Sequence, residues 1–290
     1  MLDSRGRPPQ HTFFYPIECY QADHIDLLTI LAKQGFGDVE VHLHHDNDSP
    51  QKLYAMLLDM TATLHARHDL LSRDQQGRIR YGFVHGNWAL DNSHPDGRWC
   101  GVNNELSILA ETGCYADFTM PAAPHAAQVR TINSVYYAVD DPQRPNSHDK
   151  GLATKVGRLP PSESLLCIQG PLIVSRVKTG SGSRLSVENG NLSATQPPTR
   201  ERLMNWLRAR VGVQGRDDWL FVKLHTHGAK EANADVLLGE PMRNFHASLR
   251  QAAEERGFHY YYVTTREMAQ LVHQAEQGAI SPHFSKLDWQ

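Results

Sequence analysis

Four cysteines in 290 residues, none at CxxC spacing, leave no room for a zinc ribbon or a thioredoxin-type motif. Cys19, Cys100, Cys114 and Cys167 are therefore read as reduced, mostly buried thiols. No apolar run approaches the length of a membrane span. The opening MLDSRGRPPQ is polar where a secretion signal needs an apolar stretch, so the expected location is cytoplasmic and no membrane insertion is expected. Charge of one sign is also missing: the net charge of −3 gives no electrostatic reason to expect nucleic acid as a partner. Neither GxGxxG nor GxxxxGK[ST] is present to hold phosphates, and GSGS at 180–183 reads as an ordinary turn. Without a GxSxG elbow a serine hydrolase is disfavoured, which leaves a metal-activated water as the better nucleophile.

What is abundant is histidine, 17 residues in all, and the count matters because they cluster. In VEVHLHHDND (39–48), Val39, Val41 and Leu43 alternate with Glu40, His42 and His44. On a strand the two histidines then share a face about 7 Å apart, close enough to converge on one ion. His45, Asp46 and Asp48 follow where the strand runs out into a loop, the end that carries catalysis in parallel α/β folds. A plainer reading makes Asp48 or Ser49 the N-cap of a helix begun by Pro50. FVKLHTHGA (221–229) repeats the device, with Lys223, His225 and His227 on one face. A third stretch, GFVHGNWALDNSHPDGRWCGVNNEL (82–106), concentrates side chains that hydrogen-bond hydroxyls or stack on sugar rings. Within it His85, Asn87, Trp88, Asn103 and Asn104 are candidate substrate contacts, while Trp88 and Trp99 serve equally well as packing plugs.

The rhythm along the chain is strand, helix, strand. HTFFYP (11–16), DVEVHLHH, IRYGFVHGN (79–87) and CYADFTMP read as strands, and segments 24–36, 51–71 and NNELSILAETG as helices. DDPQRPNSHDKG is loop chemistry. LLCIQGPLIVSR (165–176) reads as a strand pair and TGSGSRLSVENGNLSATQPP as a hairpin excursion turning at ENGN. Helices at 199–211, 236–257 and 266–278 then alternate with strands at WLFVKLHTHG (219–228) and HYYYVTT. Such units predict an α/β chain with a parallel sheet, open or closed into a barrel, as one domain over 1–290 with an irregular insertion at about 140–198.

The order of these motifs resembles the polysaccharide deacetylase group of the glycoside hydrolase/deacetylase superfamily. HTFFYP is similar to the ATFF strand of those enzymes, GFGDVEVHLHHDND to their histidine-rich metal motif, ETGCYADFTMP to the strand of a YDSS motif, and KLHTHGA to the late strand bearing a catalytic histidine. The likeness spans about residues 11–270 and implies a distorted, incomplete (β/α) barrel with a small β-hairpin insertion. It implies a divalent ion, zinc before others, on His42 and His44, with Asp48 as a further ligand and Asp46 as base. His225 or His227 would be the acid, and the substrate an N-acetylated carbohydrate. Family members carry an aspartate pair on a strand ahead of ATFF, and their third motif contains arginine where this chain has His85. Either that first strand is missing or Asp46 and Asp48 replace its carboxylates. Two further readings stay open: metal-assisted hydrolysis of another amide or a glycosidic bond, and a catalytically inactive carbohydrate-binding barrel.

Overall fold

Short runs rich in apolar residues build the first strands, and helices alternate with them along the chain. A computed structural model describes residues 1–179, 182–228 and 230–287. In chain order it holds β1 (His11–Pro16), α1 (Ala22–Lys33), β2 (Gly37–Leu43), α2 (Pro50–His68), β3 (Ser72–Arg73), β4 (Ile79–His85), α3 (Glu105–Thr112) and β5 (Cys114–Asp117). There follow β6 (Val135–Val139), β7 (Leu152–Ala153), β8 (Ser164–Ile168), β9 (Ile173–Thr179), β10 (Gly182–Glu188), α4 (Arg200–Ala209), α5 (Ala234–Leu237), α6 (Glu240–Arg256) and α7 (Thr265–Glu276). Helix α2 starts as its sequence dictates, with Pro50 in the first turn and the Ser49 hydroxyl accepting from the Lys52 amide at 3.4 Å. Helix α7 opens with a reciprocal Thr264/Glu267 capping box.

The main sheet runs β1-β2-β4-β5-β8-β6-β7, with β3 on the side of β4. Pairings from β1 through β8 are parallel, whereas β6 runs antiparallel to both β8 and β7, so the sheet is mixed. Strand alternation splits its side chains between two cores. Val39, Val41, Leu43, Tyr81, Phe83, Tyr136, Leu165 and Cys167 pack with Ile25, Leu53, Leu57, Leu64, Leu106 and Leu109 of α1–α3. On the other face Val84, Tyr115, Val135, Tyr137, Leu166 and Ile168 meet Val211, Phe221 and the apolar stripe of α7. A satellite core joins α4 and α6 through Trp206 and Phe245. The sheet is thus flanked by helices and is not closed into a barrel, a topology consistent with a distorted, incomplete (β/α) barrel.

Three expectations need correction. Segments 219–228 and 259–265 form no strand, because their backbone groups bond to loops rather than to a neighbouring ladder. Phe221 donates to Val211, His225 donates to Gly190, and the His225 carbonyl accepts from Leu192 in one isolated bridge. The Tyr260 carbonyl accepts from Ser4 and the Tyr262 amide donates to Asp3, so the amino-terminal residues take the place of a ladder. Within 165–176 the two strands belong to different sheets: β8 joins the main sheet and β9 pairs with β10. That pairing sets Thr179 opposite Gly182 and Glu188 opposite Ile173, so the segment ENGN (188–191) begins at the far end of the second strand and is not the turn. Gly180 and Ser181 of the expected GSGS turn lie outside the described residues.

Candidate functional site

At the carboxyl ends of β2 and β4 the two faces of the sheet each gather histidines, and the parity of the strand decides which. His42 shares its parity with Glu40 and turns away from the α1–α3 core. Its Nδ1 lies 2.7 Å from the carbonyl of Val84 and therefore donates to it, which leaves Nε2 as the free electron pair. The ring of His44 is edge-on to it, with the two Nε2 atoms 3.3 Å apart. His44 Nδ1 is held 2.6 Å from the Glu18 carboxylate, in the short turn that follows β1. Two imidazoles whose outer nitrogens are anchored by an acceptor and whose inner nitrogens converge are oriented as metal-binding histidines are. The spacing also fits, since two nitrogens about 2.0–2.1 Å from a tetrahedral ion lie roughly 3.3–3.4 Å from one another. Gly86 makes room for this pair: a Cβ there would come within 2.3 Å of the His44 ring.

The site opens to solvent. The His44 side chain is 45% exposed, and His227 is exposed beside it. His227 packs edge-on against Trp88, with ring centroids 5.7 Å apart, and lies 6.4 Å from His225 by the same measure. Burial depresses the pKa of His42 and of His227, and the neighbouring charges of Lys230 and His44 press His227 the same way. His225, more deeply set, is pushed down to about 3 by burial and then by Lys223. Both rings are neutral near pH 7.

On the opposite face lies a second cluster, buried and richer in ligand types. His45, His85, Cys100 and Glu105 place one donor atom each within 4.8 Å of all the others. They come from the loop after β2, the end of β4, the long loop that follows, and the first turn of α3. His45 Nε2 lies 2.8 Å from His85 Nε2 and 3.2 Å from Glu105 Oε1, while Cys100 Sγ lies 3.4 Å from Glu105 Oε2. His85 Nδ1 donates to the Gly86 carbonyl at 2.6 Å, so its Nε2 presents a lone pair to the cluster. Burial opposes charging His45, but Glu105 and Asp48 outweigh it and raise its pKa. Burial drives His85 down to about 4, against the opposing pull of Glu105 and with a further push from His45. It would raise the Glu105 carboxyl, yet His85 and His45 hold that group down to about 2. The described residues thus contain a buried His/His/Cys/Glu cluster capable of coordinating a metal ion, within a mixed α/β fold, as in a metal-dependent hydrolase.

Each residue singled out from the sequence has a definite place. His42, His44, His227 and Trp88 gather at the open mouth, with His225, two residues earlier in the chain, less exposed than His227, and Asn87 exposed beside Trp88. Asp46 accepts from the Trp99 amide at 2.6 Å and fixes the long loop. Asp48 faces the other way: its Oδ1 accepts from Ser49 and neighbours Lys52, and its Oδ2 stands 3.2 Å from His45 Nδ1. His85 is 1% exposed, beyond reach of a substrate. Asn103 accepts from the Asn92 side chain, and Asn104 caps α3 with its backbone. Glu18, Cys100 and Glu105 escaped the sequence reading, since no local spacing links residues 26 or 60 positions from their partners. Comparison with known proteins gives no match: no family model, no curated protein and no solved structure resembles this chain. No helix among the described residues is long and apolar enough to cross a membrane.

Proposed function

We propose that the chain is a metal-dependent hydrolase that removes N-acetyl groups from a carbohydrate at the mouth formed by His42, His44 and His227. The observation that carries this reading is the convergence of His42 Nε2 and His44 Nε2 at 3.3 Å, each ring fixed through its other nitrogen, at an accessible strand end. These two residues would hold a divalent ion of the zinc class, which when bound polarises a carbonyl and makes a neighbouring water acidic. Glu18 orients His44, and the interaction with His44 keeps its carboxyl below the ordinary range against the effect of burial. Asp46, exposed at the same strand end, is the carboxylate to accept the proton of the attacking water. His227, neutral and exposed, relays a proton to the departing amine, with His225 beneath it as a positioning residue. Asn87 and Trp88 supply hydrogen bonding and an apolar face to the sugar.

The test is acetate release from N-acetylglucosamine oligomers by metal-loaded protein, beside the His42→Ala/His44→Ala double variant. The reading requires release by wild type and its loss, together with about one equivalent of metal, in the variant. Metal-loaded wild type that liberates no acetate from any N-acetylated sugar overturns the deacetylase assignment.

A further inference from the structure

We infer that His45, His85, Cys100 and Glu105 form a closed, structural metal centre for a zinc-class divalent cation, distinct from the exposed His42–His44 pair. It would pin the loop 86–104 across the mouth. The proposal draws on the hydrolase reading only for the location of the other site.

The donor set matches the charge of its guest. Two anions, the Cys100 thiolate and the Glu105 carboxylate, with two neutral imidazoles cancel a dication, which removes the penalty of burying a charge. As the cation enters, the Cys100 thiol releases its proton to solvent, the two imidazoles bind as neutral ligands, and no electron is transferred. Second, the site is closed. Side-chain exposures are 4% for His45 and 0% for His85 and Glu105, and Cys100 is fully buried. A substrate has no open coordination position there, the feature that separates structural from catalytic centres.

Third, the network leaves polar atoms unsatisfied around the cluster. His45 Nδ1 and Asp48 Oδ2 are buried 3.2 Å apart, within ion-pair reach, and neither atom has a hydrogen-bond partner. His148, fully buried within the electrostatic reach of Glu105 and His85, has no partner on either ring nitrogen. Fourth, the ligands bracket a loop that needs holding. Asn87, Trp88, Asp91, Asn92 and Trp99 all have left-handed backbone, with φ of 54°, 56°, 52°, 53° and 70°. For tryptophan this is an uncommon and costly conformation that persists only where surroundings enforce it. Glu105 reaches back to accept from the Asp91 amide at 2.6 Å, and the Cys100 carbonyl accepts from Asp48, so the cluster grips the loop at its middle and its end.

Cobalt substitution tests the proposal independently of activity. Apoprotein titrated with Co(II) should take up about two equivalents and develop the strong near-ultraviolet charge-transfer band of a cobalt–thiolate bond. Cys100→Ser should lose that band and one equivalent. The His42→Ala/His44→Ala variant should lose the other equivalent and keep the band, even if no hydrolysis is ever detected. Should Cys100→Ser fail to fold, the wild type alone decides: Co(II)-loaded wild type without a thiolate band overturns the proposal. So does a Cys100→Ser protein that binds as much cobalt as wild type.

Discussion

Replacing Glu105 by Gln conserves shape and removes one buried negative charge, and the structure sets the size of the effect. The carboxylate is 0% exposed, with Oε2 accepting from the Asp91 amide at 2.6 Å and Oε1 facing His45 Nε2 at 3.2 Å. An amide has one acceptor oxygen, so its NH₂ must confront one of these two donors. The depression of the carboxyl from 4.5 to about 2 corresponds, at roughly 1.36 kcal/mol per pH unit, to about 3 kcal/mol of stabilisation. Loss of one partner from a buried ion pair typically costs about 3–5 kcal/mol, the same range. Urea unfolding of wild type and Glu105→Gln in the presence of chelator should therefore differ by about 3 kcal/mol at pH 7. The folded pKa lies below the unfolded one, so this stabilisation is present above about pH 4.5 and is lost as pH falls toward 2. The gap between the two proteins should narrow on acidification. A difference under about 1 kcal/mol at pH 7 would refute the reasoning, because the carboxylate would then have no special partnership with His45 and His85.

Gly86→Ala should leave the protein folded but lower metal affinity at the exposed pair by about 10-fold or more, since the new methyl meets the His44 ring at 2.3 Å; isothermal titration with Zn(II) reads the change. Glu18→Gln, which weakens the grip on His44 Nδ1, should cut metal affinity by about 10–100-fold, and an unchanged affinity would remove Glu18 from the site. His148→Leu removes a fully buried imidazole with no hydrogen bond to lose, so it should be neutral or stabilising near pH 7 by up to about 2 kcal/mol. Burial lowers His148 from 6.5 to about 4 against a lesser opposing pull from Glu105, so the unfolded chain binds more protons between these values. Wild-type stability should then fall by about 3 kcal/mol from pH 6.5 to pH 4 on this account alone, and His148→Leu should lack that part of the slope.

The early half of the fold was legible because local signals and tertiary packing agree there. Strand β1 coincides with HTFFYP, and the alternation in VEVHL matches the two faces that β2 presents. Pro50 after Ser49 marked the start of α2. The late half misled because an apolar, β-branched run signals burial as readily as pairing. WLFVKLHTHG is buried at Phe221 and Lys223 and partly buried around them, but Lys223 sends its ammonium inward to the carbonyls of Phe118 and Met120, a use of a strand-like face that periodicity does not reveal. At the site, the convergence of His42 and His44 was visible as i, i+2 spacing. Their anchors were not, since the Val84 carbonyl carries no side-chain signal and Glu18 lies in a turn of ordinary composition. The buried cluster was hidden for another reason: Cys100 and Glu105 reach His45 only through the path of a loop more than 50 residues downstream.

His44 and His45 are joined by a single peptide bond and serve opposite sides of the sheet. Because side chains on an extended chain alternate strictly, deleting or inserting one residue between Pro16's partner His42 and His45 would exchange the two assignments, sending an exposed ligand inward and a buried one outward. The reading frame of the strand, more than the identity of any one histidine, therefore keeps the open pair and the buried cluster apart.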